Sequence, residues 1–310
     1  MPAITGKTKL TGLLGDPVSH SISPLMHNFS FQKLGLDYVY LCFQINEQTL
    51  EEAVKGLRVL DVKGFNLTMP NKNKVLSYLD ALSPAARLIG AINTVENKNG
   101  VFVGHNTDGI GFMQSVKEQN IEMRNQTMTL LGIGGAATAI CAQAALDGVD
   151  TIHIFSRPNS SHLPRIKALQ ENLEKETSCK IYIHSLFDTQ DLKSAVKDSR
   201  LLVNATSVGM SPHTEDCLIE DTSVFHKHLA VADIIYNPWE TTLLTKAKAE
   251  GCKAFNGYSM LLYQGAEAFR IWTGKEMPIT LVKEHLKQLS VKLVLTHSNT
   301  TPKASLCSKN

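Results

Sequence analysis

The sequence predicts an α/β protein of two domains, each built around a mostly parallel sheet. Three observations carry that expectation. Short β-rich runs alternate with amphipathic helical stretches along almost the whole chain, as βαβ units do. One apolar strand runs directly into the small-residue turn Gly132-Ile133-Gly134-Gly135-Ala136-Ala137 and an alanine-rich helix. The chain has 310 residues, 43% hydrophobic and 19% charged, enough for two separate cores.

The elements follow in order. Residues 11–14 form a strand ended by Gly15-Asp16-Pro17. A helix covers 23–34, with Pro24 in its first turn and Gly35 past its end. A strand at 38–43, a helix at 50–60 and a strand at 64–68, stopped by Pro70, complete the first alternating unit. The second unit begins near Asp108. It places strands at 127–131, 151–155, 180–185, 201–204 and 231–235, with helices at 136–146, 166–176 and 191–196 between them. An apolar helix at 258–273 and a last helix at 280–292 follow. The tail from 296 onward is rich in Ser, Thr, Lys and Asn, has little to bury and is expected to be disordered.

Composition excludes several classes. A formal net charge of +2 gives no reason to expect nucleic acid or an anionic membrane as partner. No apolar run approaches the roughly 20 residues of a membrane helix, and residues 1–9 lack a secretory apolar stretch. The six cysteines are scattered without a CxxC pair, so they read as reduced thiols of a cytoplasmic protein, with no metal site.

The turn after strand 127–131 fits G-x-G-x-x-A, the fingerprint of a Rossmann-type domain for NAD or NADP. Gly132 permits the tight turn, Gly134 lets the backbone approach a pyrophosphate, and Ala137 lets the helix pack close to the sheet. The unpaired N–H groups opening that helix suit a phosphate. The bland alternative, a glycine-rich turn without a ligand, loses weight because strand, loop, helix and next strand stand in order. The second strand ends Phe155-Ser156-Arg157-Pro158-Asn159, without the acid that usually holds an NAD ribose. Arg157 suits a 2′-phosphate, an adenine face or plain solvation, and the balance tilts weakly to NADP.

Three further segments are polar in ways that packing does not need. Gly15 to Pro24 brings Ser21 and Ser23 to the entry of a helix. Ser23 is a natural N-cap, and the two hydroxyls together suit a carboxylate. Gly64 to Lys72 delivers Asn66, Thr68 and Lys72 to the C-terminal end of a strand, the end that faces ligands in open α/β sheets. Asn93, Asn106 and Asp108 sit among small residues, where turn-making is the competing role, evenly balanced for Asn106.

HSxSPxxHN (20–28), N-x-T-x-P-x-K (66–72), GAxNT (90–94), NTDG (106–109) and the G-x-G-G-A loop (132–136) occur together and in order. With them the chain resembles the shikimate dehydrogenase family from about residue 10 to 289. Segments 69–72, 138–140, 261–267 and 272–275 look most like its quinate/shikimate dehydrogenase branch. The resemblance implies a cleft between a substrate domain (1–107, completed by helices in 258–292) and a dinucleotide domain (108–257), with a tail at 293–310. It implies reversible oxidation of shikimate to 3-dehydroshikimate, of quinate to 3-dehydroquinate, or of both, with NAD or NADP. Ser21 and Ser23 would hold the substrate carboxylate. Asn93, Asp108 and Gln264 would bond ring hydroxyls, with Thr68 helping, and Lys72 and Asp108 would be the catalytic pair. Gly132, Gly134, Gly135 and Ala136 would cradle the pyrophosphate. Asn204, Ala205 and Thr206 would line the cofactor crevice, with Tyr236 and Gly257 near the nicotinamide. Two departures stand out: Pro158 or Asn159 where many branch members carry an acid, and Ala137 where the family often has Ser. Two rival readings are a methylenetetrahydrofolate dehydrogenase-like enzyme, against which the paired serines speak, and a non-catalytic dinucleotide sensor, which has no need of Lys72 with Asp108. For oligomeric state the sequence supports only a guess of a homodimer.

Overall fold

The first unit of the chain runs β1 (Lys9–Gly15), α1 (Ser23–Lys33), β2 (Tyr38–Gln44), α2 (Leu50–Val59), β3 (Gly64–Leu67), β4 (Ala81–Leu82), α3 (Pro84–Ile89), β5 (Thr94–Lys98) and β6 (Val101–His105). A helix at the junction, α4 (Asp108–Glu118), leads into the second unit. This is β7 (Thr127–Leu131), α5 (Gly135–Leu146), β8 (Thr151–Ser156), α6 (Leu163–Glu176), β9 (Lys180–Ser185), α7 (Thr189–Asp198), β10 (Leu201–Asn204), β11 (Ala230–Asp233), α8 (Thr242–Ala249) and β12 (Lys253–Phe255). Two helices close the chain, α9 (Tyr258–Thr273) and α10 (Ile279–Ser298). This computed structural model describes the backbone of residues 4–298 and the side chains of 4–289. The last helix thus runs beyond residue 292, and the tail expected from there lies, past 298, outside the described residues.

The second sheet is wholly parallel, in the order β12-β11-β10-β7-β8-β9. Its four central strands are largely buried on both faces and correspondingly apolar (Leu130, Ile152, Ile154, Val203, Val231). Strand order reverses between β7 and β10, the position where open α/β sheets bind ligands. The first sheet, β2-β1-β3-β5-β6-β4, is mostly parallel, as expected; the exception is β5, which runs antiparallel to both β3 and β6. Asn99 (φ +54°) and Gly100 (φ +89°) make the two-residue turn joining β5 to β6, the geometry that tight hairpins require.

Helix α9 returns to the first sheet. Trp272, 2% exposed, donates from its indole to the Val95 carbonyl at 2.9 Å, and Phe269 and Leu262 share a core with Met26, Phe31 and Tyr40. In the same core His27 is fully buried and stacked on Tyr40, ring centroids 4.4 Å apart, with neither ring nitrogen hydrogen-bonded. Burial pulls its pKa down to about 3 from 6.5. The folded state therefore keeps His27 neutral where the unfolded chain binds a proton, so this contribution is whole above pH 6.5 and drains as pH falls from 6.5 toward 3. The maximum slope is about 1.4 kcal/mol per pH unit. Urea unfolding of His27→Phe at pH 7 and pH 5 is expected to show a pH-dependent loss smaller than that of the parent by about 2 kcal/mol. Equal losses in both proteins would mean that His27 is not held neutral.

Candidate active site

A cleft of about 210 Å³ opens where the C-terminal ends of β1 and β3 face the loop after β11 and the start of α9. Ser21, Ser23, Thr68, Lys72, Asp108 and Gln264 reach it from one side; Tyr236 and Gly257 reach it from the other. Asn66 and Asn93 form its floor, 6% and 2% exposed.

The centre of the cleft is an ion pair. Lys72 Nζ donates to Asp108 Oδ2 at 2.6 Å, a short charge-assisted bond, with side chains 28% and 9% exposed. Asp108 is the first residue of α4, and Asn106 takes its backbone N–H at 3.0 Å while donating to the Ala91 carbonyl. Asn106 is therefore a turn-maker. Helix α4 is held tightly on both sides: a Cβ on Gly109 would stand 2.3 Å from the Ala139 carbonyl of α5, and one on Gly111 2.5 Å from the Gln264 nitrogen of α9. Lys72 arrives on the loop after β3, fixed where its carbonyl accepts from Ile92 N at 2.8 Å.

A buried amide network aligns the carboxylate. Asn93 donates to Asp108 Oδ1 at 2.8 Å, and its own oxygen accepts the Thr107 N–H at 2.8 Å, which fixes the amide orientation. Asn66 donates to the Asn93 carbonyl and to Thr94 Oγ1, and accepts from the Tyr40 hydroxyl at 2.8 Å. Its polar atoms are thus engaged within the protein, so Asn66 braces the floor more than it faces a ligand. Gln264 donates back to the Leu261 carbonyl at 2.9 Å. At the other end the expectation for Ser23 is corrected. Ile22 occupies the N-cap of α1 without a side-chain cap, and the Ser23 N–H is taken by Ser21 Oγ at 3.2 Å. Having accepted that bond, the Ser21 O–H remains a donor beside the positive end of α1.

The dinucleotide loop lies at the switch point of the second sheet. Gly132 (φ +108°) turns there with the Ala205 carbonyl and Thr206 at its back. Gly134 and Gly135 have ordinary φ, and a Cβ on either would meet no protein atom within 4 Å. Packing does not demand glycine at those places; open room in front of the α5 N-terminus does, and α5 has no side-chain cap. These residues therefore fit a pyrophosphate. Ala137 is wholly buried beneath them. Ser156, 4% exposed, ends β8, and the exposed Arg157 side chain meets no carboxylate among the described residues. The polar atoms of Asn204 are engaged within the protein. Its amide donates to Asp233 and the Val208 carbonyl, and its oxygen accepts from Thr206. Burial pushes the Asp233 carboxyl up, opposed by bonds from Ile235 N, Thr241 and Asn204. This knot holds the loop that carries Tyr236. Gly257 approaches the chain so closely that a Cβ would stand 1.9 Å from the Ile234 carbonyl. Met260 and Leu261, four and three residues before Gln264 on one helical face, also line the cleft and were discernible by that spacing. His20 lines it too, inside the HSxSP run. Tyr40, on β2, reaches Asn66 across 26 positions of sequence and gave no local signal.

Family comparisons agree with this geometry. The model for the shikimate dehydrogenase substrate binding domain matches residues 13–95, and that for the shikimate 5′-dehydrogenase C-terminal domain matches 257–287. A shikimate dehydrogenase (NADP(+)) of Listeria monocytogenes is 46% identical over 283 residues, 91% of this chain and 97% of that protein. The chain belongs to the shikimate dehydrogenase family. As a shikimate dehydrogenase family member it is an NAD(P)-dependent oxidoreductase acting on a secondary alcohol, which sets aside the folate-enzyme and sensor readings. Among solved members, the Listeria monocytogenes shikimate 5-dehydrogenase in complex with shikimate and NAD superposes with a TM-score of 0.89 at 45% identity, covering 92% of this chain and 99% of that one. A quinate dehydrogenase from Corynebacterium glutamicum in complex with NAD gives 0.79 at 28% identity, covering 91% and 99%. Among the described residues no helix is long and apolar enough to cross a membrane, and no cluster of three metal-ligating side chains occurs.

Proposed function

We propose that this chain interconverts shikimate and 3-dehydroshikimate, with NADP as the preferred dinucleotide. The observation that carries the reading is the Lys72–Asp108 pair, open to a small cleft that Ser21 and Ser23 also line. The two serine hydroxyls, at the start of α1, anchor the ring carboxylate, and Lys72 and Asp108 meet the carbinol oxygen. Gly132, Gly134, Gly135 and Ala136 with the α5 N-terminus hold the pyrophosphate. The bound dinucleotide supplies hydride acceptance or donation at the carbinol carbon.

Each protein group then has a defined task. In the oxidising direction Lys72 Nζ takes the proton leaving the hydroxyl; in the reducing direction it returns one to the same oxygen. Asp108 accepts from Lys72 Nζ and holds it in line with that oxygen, while Asn93 fixes Asp108 through its other oxygen. Alignment of this kind, together with proton transfer, is what the protein adds to the cofactor's chemistry.

NADP preference rests on Arg157, whose guanidinium is free of carboxylates in a segment that lacks an acid, and on relatives named for NADP. A matrix of kcat/KM for shikimate and quinate, each with NAD and NADP, tests the assignment. The highest value is expected for shikimate with NADP; quinate with NAD as the best pair would overturn it. Arg157→Ala is expected to lower kcat/KM with NADP by about 10- to 100-fold, the worth of a charge-assisted contact, and to leave the value with NAD within a few-fold. Equal losses with both dinucleotides would show that Arg157 does not read the 2′-phosphate.

A further inference from the structure

Arg165 stands in the first turn of α6, on the dinucleotide side, yet its hydrogen bonds go to the substrate side. Nη2 donates to the Ile89 carbonyl at 2.6 Å, and Nη1 to Asn73 Oδ1 at 3.2 Å. Ile89 is the last residue of α3, so the cation caps the negative end of that helix, where Gly90 turns left-handed (φ +65°). A Cβ on Gly90 would stand 3.7 Å from Arg165 Nε, so the guanidinium lies against that turn. The two segments it grips are those that carry site residues. Asn73 follows Lys72 directly, and Ile89-Gly90 leads in three residues to Asn93. The segments are also tied to each other, Ile92 N to Lys72 O at 2.8 Å.

Simple charge pairing does not explain the arrangement. Among the described residues no carboxylate stands within ion-pair distance of Arg165. Its Nε is buried without a hydrogen bond, and burial holds its pKa below the usual arginine value. A half-buried guanidinium satisfied by one helix-end carbonyl and one side-chain amide acts by geometry: its planar fork spans two strands of chain that a lysine would touch singly. On its own side, α6 begins six residues beyond Arg157, at the end of the loop that follows β8.

We propose that Arg165 is a positioning residue for the catalytic pair, clamping the Lys72–Asn73 loop to the Ile89–Asn93 segment and to the dinucleotide-side helix. The proposal rests on the acid/base role of Lys72, and the experiment separates the two. Arg165→Ala is expected to lower kcat on the order of 10- to 100-fold, the penalty of slight misalignment at a reacting centre, with KM for shikimate and Kd for NADP within a few-fold and Tm little changed. Its kcat–pH profile should move, because the proton-transferring amine is no longer held in place, and Arg165→Lys should recover part of kcat. Asn73→Ala should show a smaller loss in the same direction, and the double variant a loss smaller than the product of the singles. If Arg165→Ala destroys folding, Asn73→Ala and Arg165→Lys carry the test alone. A kcat and pH profile like the parent's in soluble Arg165→Ala, or strictly multiplicative losses with Asn73→Ala, would overturn the clamp while leaving Lys72 untouched. Full turnover in Lys72→Ala would overturn the acid/base reading and the clamp with it.

Discussion

Replacing Lys72 with alanine is expected to lower kcat by about 10²–10⁴-fold, the usual contribution of a positioned acid/base, while KM for shikimate stays within a few-fold. The split follows from the layout of the cleft. The ring carboxylate is assigned to Ser21 and Ser23, other groups of the same cleft, so removing the Lys72 side chain leaves most ground-state contacts in place. Lys72 is also 28% exposed and contributes no core packing, so the fold should survive its truncation. The Asp108 carboxylate loses its counter-ion in the variant but keeps the Asn93 amide at 2.8 Å. Steady-state kinetics in both directions, with Tm as a control, check this. A variant that turns over at nearly the parental rate would remove Lys72 from the chemistry.

The second large effect concerns the dinucleotide. Gly134→Ala should leave stability unchanged or raise it by about 0.4–1 kcal/mol, because the backbone there (φ −72°, ψ −176°) suits alanine and the new methyl meets no protein atom within 4 Å. The same methyl projects into the room assigned to the pyrophosphate. Crowding of that kind typically costs about 1–3 kcal/mol, a roughly 5- to 150-fold weaker Kd for NADP. Calorimetric titration beside a thermal melt separates the outcomes. Loss of affinity at constant Tm is the expected result; unchanged affinity would place the pyrophosphate elsewhere. A gain of stability with loss of binding is the signature of a glycine kept for a ligand rather than for the fold.

Where local pattern and structure coincide, the reason is periodicity. Strands β7, β9 and β10 and helix α9 fall on the very residues that apolar runs and turn residues marked. The parallel second sheet follows from that alternation, and its glycine loop from one small-residue spacing. What escaped was short or fixed by partners distant in sequence. The β5–β6 hairpin, turned by Asn99-Gly100, places one antiparallel strand, β5, in the otherwise parallel first sheet. Helix α3 has only six residues, although Ser83 caps it from Ala86 N and Pro84 opens it. Helix α4 carries Gly109 and Gly111, which weaken a helical pattern but let α5 and α9 approach.

The site shows the same division. Lys72 and Asp108 stood out as polar residues in apolar or small surroundings, but their meeting spans 36 positions and only the fold creates it. Ser23 and Asn204 show the opposite case. Each has the right chemistry at the right place in sequence, yet Ser23 does not cap its helix and Asn204 is engaged by Asp233 and Thr206. Side-chain direction and competing internal partners decide such cases, and neither is written in local pattern.

The most direct measurement is a crystal structure of the chain with shikimate and NADP bound. It is expected to place the oxidisable hydroxyl within about 3.2 Å of both Lys72 Nζ and the Asp108 carboxylate, opposite the nicotinamide, with the ring carboxylate on Ser21 and Ser23. A ring seated with that hydroxyl turned away from the pair, or a pair separated when the ligands are bound, would contradict the account.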